Sequence, residues 1–553
     1  MGFFSNEKAE VGVRKQKINA YNILILFLLA PGSITYGYSA AIIATTLGWF
    51  HPFKSIVCLL TRDSGQPSFS EYFGLATRSD ANSIIGATGG LFFVGGVIGP
   101  LFLPWITDRF GRKWGVAIVG HINASNFIRL TCLQPLTLNA ISAAFMAGST
   151  NIGEFIFFRF VAGASSFMLL GAIPLLMNEV VPSSMRGGLV ELHAVFFILG
   201  FAIASWVGFG FSFWTSGGLN AWRPPLAIQA GWALLGLPAL YWIPESPRFL
   251  CMKDREEEAQ AVLHRLHSDS ADPEHEFAKA EFYQIQKQLH IDRTLGNSWG
   301  HLFRKPSYRK RVFLACGLTG LIQSSGDLVI NNYGPTLYKY LGYGLVKQLL
   351  YPSAWLTFTL GMSVLCMPLI DRVPRNKMVA IGLWGCMSTL IVEAALVANF
   401  VPSDNENALR AAVAMLFVFQ VFDTAFLNGP EWAYLGEMFP THIRAKGYCL
   451  AMSMLALVNI VYTQAAPVAF ANAGWKYYLL FILLPFFGGV IVWVWYPDTR
   501  GLPLEEIAAM FGDQDEVAIY QAEIELDRTT HTIVEDRHGK GVTTFVENRQ
   551  SSV

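Results

Sequence analysis

Seven stretches of this chain run for more than twenty residues without a single Asp, Glu, Lys or Arg: Ile18 to Phe53, Ala81 to Thr107, Leu192 to Trp222, Pro224 to Pro244, Gln348 to Ile370, Gly447 to Trp475 and Tyr477 to Pro497. A helix satisfies its own backbone groups, and about 20 apolar residues carry it across the ~30 Å hydrocarbon core of a bilayer. Each run therefore holds at least one span. Runs interrupted by isolated charges fill the gaps: Trp114 to Ser149 (Arg129), Ile152 to Asn178 (Glu154, Arg159), Val312 to Tyr333 (Asp327), Met378 to Phe400 (Glu393) and Ala411 to Gly436 (Asp423, Glu431). The pattern predicts an all-α membrane protein of twelve transmembrane helices in two six-helix, pseudo-symmetric bundles.

Composition excludes most other classes. Hydrophobic residues make up 53% and charged ones 14%, too oily for a soluble enzyme, and no catalytic constellation lies in an aqueous segment. Forty basic against forty acidic residues leave no excess for nucleic acid. The seven cysteines show no ligand spacing, so neither zinc, disulfides nor any cofactor is expected.

Lys and Arg orient the spans. Arg14, Lys15, Lys17, Arg109, Arg112, Lys113, Arg186, Arg372, Arg375, Lys377, Arg444 and Lys446 fall on one side if twelve spans alternate, and that side is expected to be the cytosol. The predicted order is a cytosolic N-terminus (1–17), a first bundle (18–244), a cytosolic central loop with helices (245–311), a second bundle (312–497) and a cytosolic tail (498–553) that is polar and mobile from Leu504 onward. In the central loop, Asp254 is placed to cap a helix starting with Arg255, Glu256, Glu257 and Glu258. The first apolar run is too long for a cleavable signal peptide, and the location expected is the plasma membrane.

A weak repeat relates the halves: Asp108-Arg109-Phe110-Gly111-Arg112-Lys113 follows the second span and Asp371-Arg372-Val373-Pro374-Arg375-Asn376-Lys377 the eighth. Further stations are Glu179-Val180-Val181-Pro182, Trp222-Arg223, Pro244-Glu245-Ser246-Pro247-Arg248, Gly429-Pro430-Glu431-Trp432, Glu437-Met438-Phe439-Pro440, Arg444-Ala445-Lys446-Gly447 and Pro497-Asp498-Thr499-Arg500-Gly501. With these motifs the chain resembles the sugar porter branch of the major facilitator superfamily, in the style of its fungal members, from about Ile34 to Glu506. The resemblance implies alternating access of a sugar or sugar-like polyol, by uniport or proton symport; the alternative is a transporter or exporter of a fungal secondary metabolite encoded in a biosynthetic cluster. It also implies a cytosolic gating network of Asp108, Arg109, Arg112, Arg159, Glu179, Arg186, Glu245 and Arg248 in the first half, and Asp371, Arg372, Arg375, Glu437 and Arg444 in the second.

Polar residues at bilayer depth are expensive and mark sites. Gln323 keeps the second glutamine of the family's paired motif, Ile322 replacing the first; Asn331, Asn332, Tyr333, Trp432 and Asn459 complete the expected sugar site. Ala194 and Leu455-Ala456 stand where the family offers polar or aromatic partners, which points away from simple glucose. Proton-coupled members carry an aspartate after Gly-Tyr in span one; here Gly37-Tyr38 is followed by Ser39. Coupling therefore falls to no acid or to another one, with Asp327 first and Asp423 and Glu431 next. His193, alone on an apolar helix, reads as a packed core residue.

Two segments, 49–65 and 119–139, interrupt otherwise continuous family motifs, and each carries a Leu-Thr pair near its end (Leu60-Thr61, Leu130-Thr131) that can encode a fungal branch point. They read as retained introns.

Overall fold

The structure is a computed structural model describing residues 19–47, 67–75, 78, 80–113, 135–181, 186–268, 275–327, 330, 345–400, 405–500, 507–514, 524–527, 532–535 and 543–545. Twelve helical spans follow one another: Ala20–Leu47, Ala81–Phe110, Pro135–Gly148, Ile152–Val180, Arg186–Ser212 and Arg223–Ala239, then Pro306–Gln323, Leu345–Cys366, Arg375–Phe400, a composite tenth, Thr441–Ala473 and Tyr478–Trp495. Among the described residues nine helices are long and apolar enough to cross a membrane. The tenth span runs as an α-helix to Phe422, passes through a π-helical turn at Asp423–Asn428, and resumes at Gly429 to end at Glu437. The break has a local cause: Pro430 has no backbone N–H to continue the ladder.

Glycines set how closely the helices approach. A Cβ on Gly37 would lie 1.9 Å from the Phe197 carbonyl oxygen, and one on Gly200 would lie 2.4 Å from that of Ile34, so spans one and five pack backbone to backbone. Between the halves, span two packs on span eleven and span five on span eight.

The central loop carries the helices Pro247–Met252, Glu256–Leu266 and Glu276–Asp292, packed around Leu250, Cys251, Ala259, Leu263, Ala278 and Ile285, and Trp299–Arg304, which packs on spans seven and eleven. Asp254 is not the cap expected of it: its φ is 59°, the helix starts two residues later, and its carboxylate pairs with Arg293. Nor is the tail free from Leu504 onward, because Asp513 pairs with Arg311 and Lys305, both at 2.7 Å. The all-α expectation holds for the spans, whereas the tail adds a three-stranded antiparallel sheet, Ile524–Asp527, Thr532–Glu535 and Thr543–Phe545.

The third span begins at Pro135, and Asn139 is wholly buried in it: Nδ2 donates to Ser165 Oγ (3.1 Å) and Ser166 Oγ (2.9 Å), and Oδ1 accepts from Gln229 Nε2 (3.0 Å). Residues 135–139 pack within the bundle, whereas the expected insert ran from 119 to 139, so a deletion that spares the bundle stops at 134. The remainder, 119–134, and the other insert, 49–65, lie outside the described residues.

Candidate functional site

A cavity lies where the two bundles face each other. Its walls come from span one (Tyr36), span five (Phe197, Ile198, Phe201), the end of span seven (Ile322, Gln323, Asp327), span eight (Trp355, Leu356, Thr359), span ten (Gln420, Asp423, Asn428, Glu431, Trp432) and span eleven (Leu455, Asn459). With the open solvent at its mouth counted, its atom-free space is about 740 Å³. Of the residues singled out from the sequence, Gln323, Asp327, Trp432 and Asn459 line it; Asn331, Asn332 and Tyr333 lie outside the described residues.

The Trp432 ring meets Phe197 and His193 edge-on, each with centroids 5.6 Å apart, which fixes it as one wall. His193 Nδ1 bonds Ser33 Oγ at 2.8 Å, so it is held in the core as expected. Asp423 accepts from Ser325 Oγ at 3.3 Å. Sequence reasoning missed Tyr36, Phe201, Trp355, Thr359 and Gln420 as cavity walls, for aromatics and lone polar residues on apolar helices look like core until the packing is known.

On the face that carries the central loop, two clusters repeat one design. In the first, Arg112 Nη1 donates to Asp108 (3.0 Å) and to the Thr107 carbonyl (2.9 Å), its guanidinium lies 3.4 Å from Glu179, and Ser246 Oγ donates to Glu179 at 2.5 Å. In the second, Arg375 reaches Asp371 (3.3 Å), Glu437 (3.3 Å) and the Ile370 carbonyl (2.8 Å), while Thr499 Oγ1 donates to Glu437 at 2.6 Å. The backbone N–H of Arg112 goes to Glu245 (2.9 Å), and that of Arg375 to Asp498 (3.1 Å). Burial pushes the Glu245 carboxyl above its ordinary pKa, and the amides of Lys113 and Ser246 pull it back. Arg248 Nη1 donates to the Glu179 carbonyl at 3.1 Å.

Three contacts then tie one bundle to the other. Lys446 Nζ lies 3.3 Å from Asp108, the Gly188 amide donates to Asp371 at 2.8 Å, and Arg444 Nη1 lies 3.8 Å from Glu179. Lys446, two residues beyond Arg444, and Gly188, two beyond Arg186, occupy equivalent places. A turn deeper, Ser363 Oγ donates to Glu191 at 3.0 Å.

Three residues assigned to this network do not bond within it. Arg159 is buried elsewhere: Nη1 donates to the Ser39 carbonyl at 2.8 Å and the guanidinium lies 3.9 Å from the centre of the Phe92 ring. It shares a helix with Glu179 but stands twenty residues before it, roughly 30 Å along the axis. Arg109 is exposed and packs over Trp105 and Phe110, and Arg372 is exposed, its carbonyl accepting from Arg500. The side chain of Arg186 is not among those described.

Comparison with known proteins now settles the family. Residues 25–511 match the model of the "Sugar (and other) transporter" family. The chain belongs to that family. It is a multi-pass membrane transporter. Among curated relatives, MFS-type transporter criB of Aspergillus cristatus is 27% identical over 503 residues, covering 90% of this chain and 98% of its own. A probable quinate permease of Aspergillus fumigatus is 26% identical over 519 residues, covering 89% of this chain and 88% of its own. The major facilitator superfamily proton:xylose symporter XylE, bound to 6-bromo-6-deoxy-D-glucose, superposes with a TM-score of 0.73 at 20% identity, over 89% of this chain and 99% of XylE. The inward-open form of the Escherichia coli protein gives 0.61 at the same identity, over 88% and 99%. These likenesses share the major facilitator fold.

Proposed function

We propose that the protein carries a sugar or sugar-like polyol across the plasma membrane by alternating access, with its termini and central loop in the cytosol. The observation that carries this reading is a polar and aromatic cavity between two bundles that are latched together on the central-loop face. Gln323, Trp432 and Asn459 bind the ligand, Asn331, Asn332 and Tyr333 extend the site, and the two ionic clusters hold the cytosolic gate. Asp327 is the coupling acid if protons are co-transported; Ser39 supplies no carboxyl in span one. The names of the quinate permeases and the xylose symporter favour a polyhydroxylated ligand.

The test is labelled uptake by yeast lacking their own hexose carriers, using the form without 49–65 and 119–134, across hexoses, pentoses, disaccharides, polyols and quinate. Saturable uptake supports the reading, and Trp432→Ala should lower it about tenfold or more by removing the aromatic wall. Uptake that survives an uncoupler assigns uniport; uptake abolished by it assigns coupling. No uptake of any of them, with protein at the cell surface, contradicts the proposal. A second reading, export of a fungal metabolite, is favoured by the apolar Leu455 in the cavity wall.

A further inference from the structure

The cavity described above holds three carboxyl groups, Asp327, Asp423 and Glu431, and among its described lining residues there is no Lys, Arg or His. Glu431 is 2% exposed and its Oε1 has no hydrogen-bond partner among the described residues; Asp327 Oδ1 has none among them either. Gln420 Oε1 and Asn459 Oδ1 are likewise buried without a partner among the described residues. Two of these four open acceptors belong to carboxyl groups. Tyr36, Phe197, Phe201, Trp355 and Trp432 supply aromatic surface to the same space.

Buried carboxylates without a counter-ion are costly, and an aromatic enclosure adds attraction for a cation that has shed its water. A carboxylate-bearing ligand meets the opposite, like charges at close range. We infer that the ligand of this cavity carries a protonated amine beside its hydroxyl groups, seated against Asp423 and Glu431, and that anionic polyols are excluded. This inference rests on the polyol reading above and narrows its chemical class.

The full chain without 49–65 and 119–134, purified in detergent, is titrated at pH 6 with glucosamine, glucose, N-acetylglucosamine, quinate and butylamine, reading tryptophan fluorescence. Glucosamine is expected to bind about tenfold or more tighter than glucose or N-acetylglucosamine, and quinate not to bind. Glu431→Gln and Asp423→Asn, nearly isosteric and checked by their melting temperatures, should bring that ratio toward one. Equal binding of glucosamine and glucose, quinate binding as tight as glucosamine, or an unchanged ratio in both variants overturns the inference and leaves the polyol reading standing. Binding of butylamine with none of the polyols upholds the amine and overturns the polyol reading. No binding by any of the five overturns both.

Discussion

Ser39 and Arg159 show what one residue decides. Arg159 is buried with Nε unpaired among the described residues; its Nη1 donates to the carbonyl of Ser39, whose hydroxyl accepts from Gln229 Nε2 at 3.0 Å, and Ser39 holds the position where proton-coupled relatives place an aspartate. Ser39→Asp should therefore give the guanidinium an ionic partner and stabilise the protein by about 1 to 3 kcal/mol, read as a higher melting temperature. It should also make uptake sensitive to an uncoupler if it was not before. An unchanged melting temperature would show that the two side chains do not meet. The substitution at Ser39 was legible in the sequence; its partner was not. Motif order sets Arg159 among the gating charges, while helix rise separates it from them, and only the packing of span one against span four reveals the pair.

Elements divide in the same way between what pattern shows and what contact adds. Charge-free runs disclosed the spans because lipid forbids unpaired backbone. The π-helical turn before Pro430 brings Asp423 and Glu431 to one cavity, a convergence that no periodicity encodes. Close helix contacts are similarly silent in sequence. Gly37→Val should force spans one and five apart, at a cost of about 1 to 3 kcal/mol or more, seen as lower surface expression and a lower melting temperature. The third span supplies another prediction. Its described helix has 14 residues, about 21 Å, and so needs upstream chain to cross the bilayer. Deleting 119–134 should join Ile118 to Pro135 and give well-expressed protein, whereas deleting 119–139 also removes Asn139, which joins Gln229, Ser165 and Ser166 across three spans. Equal expression of the two deletions, measured by fluorescence-detected gel filtration, would contradict the role given to Asn139.

At the scale of the whole molecule, the two ionic clusters are one device used twice. Asp108, Arg112, Glu179, Glu245 and Ser246 correspond to Asp371, Arg375, Glu437, Asp498 and Thr499, each set locking three stretches of its own bundle. The cross-bundle contacts on this face are Lys446 to Asp108 and Gly188 to Asp371, both made to partly exposed carboxylates and individually worth roughly 0 to 1 kcal/mol, beside the buried Arg444 and Glu179. A gate held this way is stable as a sum and reversible in parts, as alternating access requires.

That reversibility is the central claim, and a cross-link tests it most directly. A Cβ on Gly188 would lie 3.1 Å from the Asp371 carboxylate, so Gly188→Cys and Asp371→Cys set two thiols facing each other across the gate. Uptake of the transported compound should stop when this pair is oxidised and return on reduction, while neither single variant responds to oxidant. Full uptake by protein shown to be cross-linked would mean that the bundles do not part at this face, and the account would be wrong.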